Sequence, residues 1–238
     1  SDGSVWGSGV NSNGQLGLGN TTAQSGFVQL SGYVNPKSIG VGTAYSLIVK
    51  SDGTVWGAGL NSNRQLGDGY TTPRTSRVQM LGPLQNVGGS FCTGAKQVAC
   101  GTTHSVILAE DGNVYACGLN SSGQLGQGNT TAPTAQWVKQ VRANMPPAAP
   151  VYLTGVTQIA CGANHTIALK SDGTVWAWGQ NTTNQLGDGT TTNRTCAQQV
   201  PGLSGVTFIA ANNGHNLALM GNGTVKGWGL NTSGQLGT

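Results

Sequence analysis

The chain has 238 residues, of which only 8% are charged and 40 are glycine, and its formal net charge at pH 7 is +4. Short apolar runs recur regularly between Gly, Asn and Thr, which favours strands and tight turns and argues against a disordered chain. The eleven basic residues form no run that would follow a phosphate backbone, and no apolar stretch reaches the roughly 20 residues that cross a bilayer. Neither nucleic-acid binding nor a membrane span is therefore predicted.

Two motifs repeat along the whole chain. The first takes the forms SDGSVWGSG, SDGTVWGAG, DGNVYACG, SDGTVWAWG and GNGTVKGWG, about 50 to 60 residues apart, and Gln-Leu-Gly follows each copy at one offset. We place the repeats near 1–50, 51–110, 111–170 and 171–220, with a partial repeat at 221–238, in a single domain. The turn positions are Asp2, Asp52, Asp111, Asp172 and Asn222, and the glutamines are Gln15, Gln65, Gln124, Gln185 and Gln235.

Each repeat predicts four antiparallel strands. In the fourth repeat they are expected at 156–162, 165–170, 174–179 and near 197–200. The Ser-Asp-Gly sequence between the second and third strands predicts a hairpin with a type I′ turn, because Gly and Asp tolerate positive φ. The expected fold class is all-β: a β-propeller of four-stranded antiparallel blades, with about four and a half repeats present.

An aromatic residue recurs in the third strand, and a leucine recurs in the Gln-Leu-Gly loop. Packing between blades is the simplest role for the rings, and the alternative is a stacking platform for a sugar or base, which requires exposure. The leucines are expected to fill the same seams between blades. The positions are Trp6, Trp56, Tyr115 and Trp176, with Lys226 in the fifth repeat, and Leu16, Leu66, Leu125, Leu186 and Leu236.

The segments CGTTHSVIL, CGANHTIAL and NNGHNLAL complete a pattern of Gly-x-x-His, apolar strand, Asp-Gly turn, Val-Trp-Gly-x-Gly and Gln-Leu-Gly. With this pattern the sequence resembles the regulator of chromosome condensation repeat family over essentially its entire length. The resemblance implies a disc of seven blades and activities that range from guanine-nucleotide exchange on a small GTPase to protein inhibition and general protein interaction. No segment matches the loops and acidic residues on which exchange depends, so no catalytic site is transferred to this chain.

Three histidines, His104, His165 and His215, suggest a zinc site at first sight. They occupy the Gly-x-x-His position of successive repeats, where Tyr45 stands in the first full unit, so we expect them to be spaced around the ring. A ring hydrogen bond to loop backbone is their predicted role. No metal and no cofactor are predicted.

The sequence does not predict an enzyme. Four of the seven acids occupy hairpin turns, Glu110 adjoins one of these turns, and Asp68 and Asp188 lie in Leu-Gly-Asp-Gly loops, which leaves no carboxylate pair for glycoside hydrolysis. We find no Gly-x-Ser-x-Gly elbow, phosphate-binding loop or dinucleotide fingerprint. The five cysteines are interpreted as core thiols rather than metal or redox groups.

Two features remain as candidate contact surfaces. Arg64, Arg74 and Arg77 could face an acidic partner or serve solubility alone. Insertions within 81–96 and 141–155 are expected on one face of adjacent blades, either as a protein-binding patch or as tolerated loops. The residues assigned to the patch are Phe91, Met145, Pro146, Pro147, Val151 and Tyr152.

These patterns predict a non-catalytic protein-interaction or assembly scaffold whose partner is a protein or other copies of itself. The alternatives are a structural subunit of a filament or multi-chain ring, and a regulator resembling a guanine-nucleotide exchange factor. A strand pair, three full blades and a final three strands do not build a closed seven-bladed ring, so either the sequence is part of a longer protein or its ends pair with copies. A four-bladed ring with a spare strand is the further option. Low charge with abundant Gly, Asn and Thr indicates a secreted bacterial protein, extracellular or at the cell surface.

Overall fold

The computed structural model describes residues 2–82, 92–131, 139–143 and 149–237, and within these ranges it contains strands and turns but no helix. Nothing in these ranges therefore has the length and apolar character of a membrane-crossing helix. The strands are β1 (Ser4–Gly9), β2 (Gln24–Val34), β3 (Ser38–Val41), β4 (Tyr45–Val49), β5 (Val55–Gly59), β6 (Arg74–Gln79), β7 (Ala95–Cys100), β8 (His104–Ala109), β9 (Val114–Gly118), β10 (Lys139–Gln140), β11 (Val156–Cys161), β12 (His165–Lys170), β13 (Val175–Gly179), β14 (Arg194–Gln199), β15 (Val206–Asn212), β16 (His215–Met220) and β17 (Val225–Gly229).

The strands form five antiparallel sheets, which we number in chain order. The first sheet pairs β1 with β2, the second contains β3 to β6, the third β7 to β10, the fourth β11 to β14 and the fifth β15 to β17. Within every sheet, strands that follow each other in sequence are neighbours. This up-and-down order is that of propeller blades, and the predicted fold class is confirmed.

The hairpin between the second and third strands is confirmed in the second to fifth sheets, but the predicted turn type is wrong. In the fourth sheet, Gly173 N–H donates to Lys170 O at 3.0 Å, and only Gly173 has a positive φ, +77°. Asp172 stays outside the left-handed region and instead accepts from Thr174 N–H at 3.0 Å. The turn is therefore a three-residue loop that ends on a left-handed glycine, not a two-residue type I′ turn.

The core of the molecule lies in the seams between sheets. Leu66, Leu125 and Leu186 from the Gln-Leu-Gly loops are buried in the seams that follow the second, third and fourth sheets, whereas Leu16 and Leu236 are half-buried. Each seam joins the second and third strands of one sheet to the first and second strands of the next. A single blade would leave these side chains in water, so neighbouring blades stabilise each other.

Glutamine side chains bond neighbouring first strands to each other. The Gln97 amide donates to Ile159 O and accepts from Ile159 N–H, both at 3.0 Å. Gln158 makes the same two bonds to Ile209, at 2.9 and 3.0 Å. The side-chain amide thus makes the pair of hydrogen bonds that a backbone segment of a neighbouring strand would make. These bonds fix the relative position of the first strands of consecutive blades. The equivalent position in the fifth sheet is Phe208, which is exposed.

Candidate functional site

Hydrogen bonds link the aspartate of a repeated turn to the recurring tryptophan of the same repeat through one hydroxyl side chain. In the second sheet the Trp56 indole donates to the Thr54 hydroxyl at 3.0 Å, and that hydroxyl donates to Asp52 at 2.6 Å. Trp176 and Thr174 repeat the arrangement on Asp172, as do Trp6 and Ser4 on Asp2. The side-chain and backbone donors of Thr54 lower the pKa of Asp52. These carboxylates act as structural acceptors.

Two of the recurring tryptophan rings lie near the surface with a lysine ammonium against them. Lys50 Nζ lies 5.6 Å from the Trp56 ring centroid, and Lys170 Nζ lies 5.5 Å from that of Trp176. Trp56, Tyr115 and Trp176 are half-buried, whereas Trp6 is exposed. A sugar or base could stack on Trp56 or Trp176 only by displacing an ammonium group, which counts against a stacking platform at these two rings.

His104 and His165 do not make the backbone hydrogen bond that the sequence predicted. His104 Nε2 lies 3.1 Å from the Thr166 hydroxyl, and His165 Nε2 lies 2.8 Å from Asn216 Oδ1. Both partners are side chains of the following sheet. Tyr45, at the equivalent position, does reach backbone and donates to His104 O at 2.5 Å. In the part of the chain that the structure describes, no three metal-ligating side chains gather.

The glycine of Gly-x-x-His is required by the ring that follows it. A Cβ at Gly162 would stand 2.0 Å from His165 Cε1 and 2.7 Å from Asn213 O, and Gly101 has the same relation to His104. Neither glycine has a positive φ, so the constraint is the close approach of the imidazole and not the backbone conformation. Gly and His therefore form one packing unit per repeat.

Gly162→Ala is expected to lower the free energy of unfolding by about 1 to 3 kcal/mol, because the buried His165 ring would have to leave its position. Urea unfolding followed by circular dichroism measures the loss. Gly26→Ala is the matched control, since a Cβ there meets no atom within 4 Å. Equal midpoints for the two variants would contradict the packing argument.

The glutamine carbonyl of each of the first four Gln-Leu-Gly loops accepts a hydrogen bond from the next sheet, but the donor changes. Ser46 Oγ donates to Gln15 O at 2.6 Å, and Ser105 Oγ donates to Gln65 O at 2.7 Å. Where Thr166 takes the serine position, the donor is instead the Trp178 indole, 3.0 Å from Gln124 O. In the fifth sheet, Asn216 and Trp228 both donate to Gln185 O. Serine, asparagine and tryptophan side chains thus supply the donor for the same loop carbonyl in different seams.

The three arginines of the basic stretch have separate environments. Arg74 Nε bonds Asp68 Oδ2 at 2.5 Å, as Arg194 bonds Asp188 in the fourth sheet. Burial acts to raise the pKa of Asp188, but Thr190 and Arg194 bring it below the usual value. Arg77 instead extends toward the first sheet, and Arg64 is a half-buried loop residue with φ +62°. They do not form a single patch.

The cysteines have the surroundings of core thiols. Burial raises the pKa of Cys92 to about 11 and that of Cys100 to about 12, and it also raises those of Cys117 and Cys161. Because the thiolate is the reactive form, these groups are poor nucleophiles at neutral pH.

The predicted contact patch is described only in part. Phe91, Met145, Pro146 and Pro147 lie outside the described residues. Val151 and Tyr152 are exposed, by 57% and 42%. After each insertion, the chain makes a backbone hydrogen bond at an equivalent position of the repeat. Cys92 N–H donates to Met80 O, and Leu153 N–H donates to Val141 O, both at 2.9 Å.

A larger apolar surface lies on the outer face of the fifth sheet and was missed from the sequence. Leu217, Leu219 and Val225 are exposed by 37 to 61%. The equivalent residues in the three preceding sheets are all buried: Leu47, Val49 and Val55, then Val106, Leu108 and Val114, then Ile167, Leu169 and Val175. Comparing the repeats position by position could have shown that the seam pattern continues in the fifth sheet.

The repeated seams, hairpins and Gly-x-x-His units can be compared with known proteins. All of residues 1–238 match the RCC1-like domain family. The chain belongs to this family. The human X-linked retinitis pigmentosa GTPase regulator is 34% identical over 108 residues, covering 44% of this chain and 10% of that protein. Ultraviolet-B receptor UVR8 of Arabidopsis thaliana is 32% identical over 113 residues, covering 45% of this chain and 22% of that protein.

Solved structures agree on the fold of this RCC1-like chain. Human WBSCR16 superposes with a TM-score of 0.74 at 24% identity, covering 96% of this chain and 60% of that one. Yeast RCC1 (Prp20), solved with Kap60, gives a TM-score of 0.76 at 20% identity, covering 97% of this chain and 53% of that one. The matches thus span a tenth to about a fifth of the two curated relatives, and somewhat more than half of these solved chains.

Proposed function

We propose that this RCC1-like chain is a non-catalytic protein-interaction and assembly scaffold. The observation that carries the proposal is the exposed outer face of the fifth sheet, formed by Leu217, Leu219 and Val225. Exposed apolar surface of this kind marks a protein-binding site. The repeated aspartates, histidines and loop glutamines already bond within or between sheets, which supports a structural role for them.

The proposed occupant of this face is a second copy of the chain. In the three seams between the second and fifth sheets, residues equivalent to Leu217 and Leu219 pack on the first strand of the next sheet. The second sheet presents such a strand, β3, with Ile39 exposed, although its counterparts Val98, Ile159 and Ile209 are buried. One chain thus offers both halves of the same interface. Pairing a fifth sheet with a second sheet is a head-to-tail contact, which gives a ring or a filament.

Light scattering coupled to size exclusion tests the assembly. We expect dimers or larger species at micromolar concentration, and mostly monomer for the Leu217→Lys, Leu219→Lys double variant, because two ammonium groups would have to be desolvated in the interface. Thermal unfolding should stay near the parent value, since both side chains are already exposed in a single chain.

The matched control is the Val151→Lys, Tyr152→Lys double variant, which changes an exposed apolar pair of the second insertion. It should assemble like the parent chain. If only this variant became monomeric, the insertion patch and not the fifth sheet would be the contact. A parent chain that is monomeric throughout would overturn the assembly.

A regulator of a small GTPase is the second candidate function. The observation that favours it is the 34% identity, over 108 residues, with a protein named a GTPase regulator. Release of a fluorescent GDP analogue from a small GTPase, with this chain at catalytic concentration, separates the candidates: acceleration would favour the regulator.

We also propose an extracellular or cell-surface location and a bacterial source. The supporting observation is the low charged fraction, 8%, combined with 40 glycines. Immunodetection in separated medium, envelope and cytosol of the producing organism would test this location.

A further inference from the structure

A cleft of roughly 490 Å³ opens between the first and second sheets. Its walls are Leu30 and Tyr33 on one side and Lys50, Trp56 and Arg77 on the other, and Gly17, Leu18 and Gly19 of the first Gln-Leu-Gly loop complete the lining with Ser31, Gly32 and Ser76. This volume is within the usual range for ligand sites.

In the wall of this cleft, an arginine side chain stands where the third and fourth sheets make a direct backbone contact. Between the third and fourth sheets, Ala197 N–H donates to Arg142 O at 2.9 Å. The equivalent residues between the first and second sheets are Arg77 and Ser31, as the pairing of β1 with β2 and of β5 with β6 places them. Here the Arg77 guanidinium, not its backbone N–H, donates to Ser31 O.

The position of Arg77 is fixed from two further sides. Its guanidinium lies over the Tyr33 ring, 4.8 Å from the centroid. A Cβ on Gly17 would approach Arg77 Cγ to 2.9 Å, so the loop has room for the arginine only because it carries glycine there. The cation is therefore held at the wall of the cleft rather than free in solvent.

The cleft carries positive charge without a matching acid. Lys50 and Arg77 line it, and no Asp or Glu is among its lining residues. Among the ion pairs of the described ranges, Arg77 has none, and Lys50 reaches only Asp52, at 3.9 Å between a half-buried lysine and an exposed acid. Such a long pair with an exposed acid contributes little. Trp56 adds an aromatic surface beside the two cations.

We propose that this cleft binds an acidic peptide segment of a protein partner, with a carboxylate between Lys50 and Arg77 and an apolar side chain against Leu30. A small anion alone would leave the Leu30 wall uncovered. The proposal rests on the protein-binding function proposed above, but it uses none of the residues of the fifth-sheet face. A cleft that binds no peptide would therefore not contradict assembly through the fifth-sheet face, and a monomeric chain would not contradict peptide binding.

Isothermal titration with a blocked peptide of alternating glutamate and phenylalanine tests the site. We expect binding that weakens as salt rises, and affinity at least about tenfold lower for the matching peptide with glutamine in place of glutamate. Arg77→Gln should weaken the glutamate peptide about tenfold as well. Inorganic phosphate, as a free anion, should not compete at equal concentration.

Lys50→Gln and Lys170→Gln form the matched pair of variants. Both remove an ammonium that lies over a tryptophan, but only Lys50 lines the cleft. Lys50→Gln should weaken the glutamate peptide, and Lys170→Gln should not. Because Lys50 is partly exposed, this pair keeps the test valid even if Arg77→Gln fails to fold. Equal affinity for the two peptides, equal effects of the two lysine variants, or competition by phosphate would overturn the proposal.

Discussion

Trp178→Ala is expected to lower the free energy of unfolding by about 3 to 5 kcal/mol. Trp178 is fully buried in the seam between the third and fourth sheets. Its truncation leaves a cavity in the seam, and it also removes the indole that donates to Gln124 O at 3.0 Å. Since Thr166 stands where Ser46 and Ser105 donate in other seams, that carbonyl would lose the donor it has here.

Trp228→Ala is the matched control for this loss. Trp228 holds the equivalent position in the fifth sheet and makes the same bond, to Gln185 O at 3.1 Å, but it is only half-buried. Asn216 Nδ2 also donates to Gln185 O, at 2.7 Å, so this carbonyl keeps a partner. Urea unfolding of both variants should show a clearly smaller loss for Trp228→Ala. Equal losses would mean that seam burial does not dominate stability.

The strands and hairpins could be predicted because their signals are local. Alternating apolar residues in segments such as 156–162, bounded by Ser-Asp-Gly, require only chain neighbours to form a hairpin. The turn type was wrong because Asp-Gly suits two hairpin geometries. Which one forms depends on Asp172 accepting from Thr174 instead of taking a positive φ itself.

The contacts between sheets could not be predicted in the same way. His104 and His165 share one motif position, yet their partners are a threonine and an asparagine about 50 to 60 residues further on. Arg74 and Arg77 lie in one short strand, but Arg74 pairs with an acid of its own repeat and Arg77 crosses to the preceding sheet. A comparison of repeats could have separated the two arginines. Arg194 occupies the position of Arg74 in the fourth repeat, whereas alanine, at Ala197, occupies the position of Arg77.

Acidification is expected to destabilise the chain well above the range in which carboxylates titrate. Burial lowers the pKa of His104 to about 3, helped by nearby His165, and lowers that of His165 to about 4. The Asn216 hydrogen bond opposes the shift at His165, and His215 adds to it. Histidine in the unfolded chain titrates near 6.5. Below that pH the unfolded chain therefore binds protons that the folded chain cannot.

Because the folded-state pKa values of both histidines lie below the unfolded-state value, the free energy of unfolding decreases as the pH falls. The stabilising contribution of the neutral rings is fully present above about pH 6.5 and is lost as the pH falls toward 4, at up to about 1.4 kcal/mol per pH unit for each ring. Between pH 6.5 and 5 this loss precedes that from Asp188, whose pKa is below its usual value. Urea midpoints should therefore stay nearly level from about pH 7.5 to about 6.5 and then fall as the pH is lowered to about 5.

Histidine variants test whether His104 and His165 cause this dependence of stability on pH. His104→Gln and His165→Gln should each remove about half of the slope, whatever they cost at neutral pH, because each removes one titrating group. Tyr45, buried at the equivalent position of the second sheet, shows that this place in the repeat accepts a side chain other than histidine. Asp188→Asn is the control: it should lower stability throughout but leave the slope above pH 5 unchanged. A slope that survives in the double histidine variant would show that other groups cause the acid sensitivity.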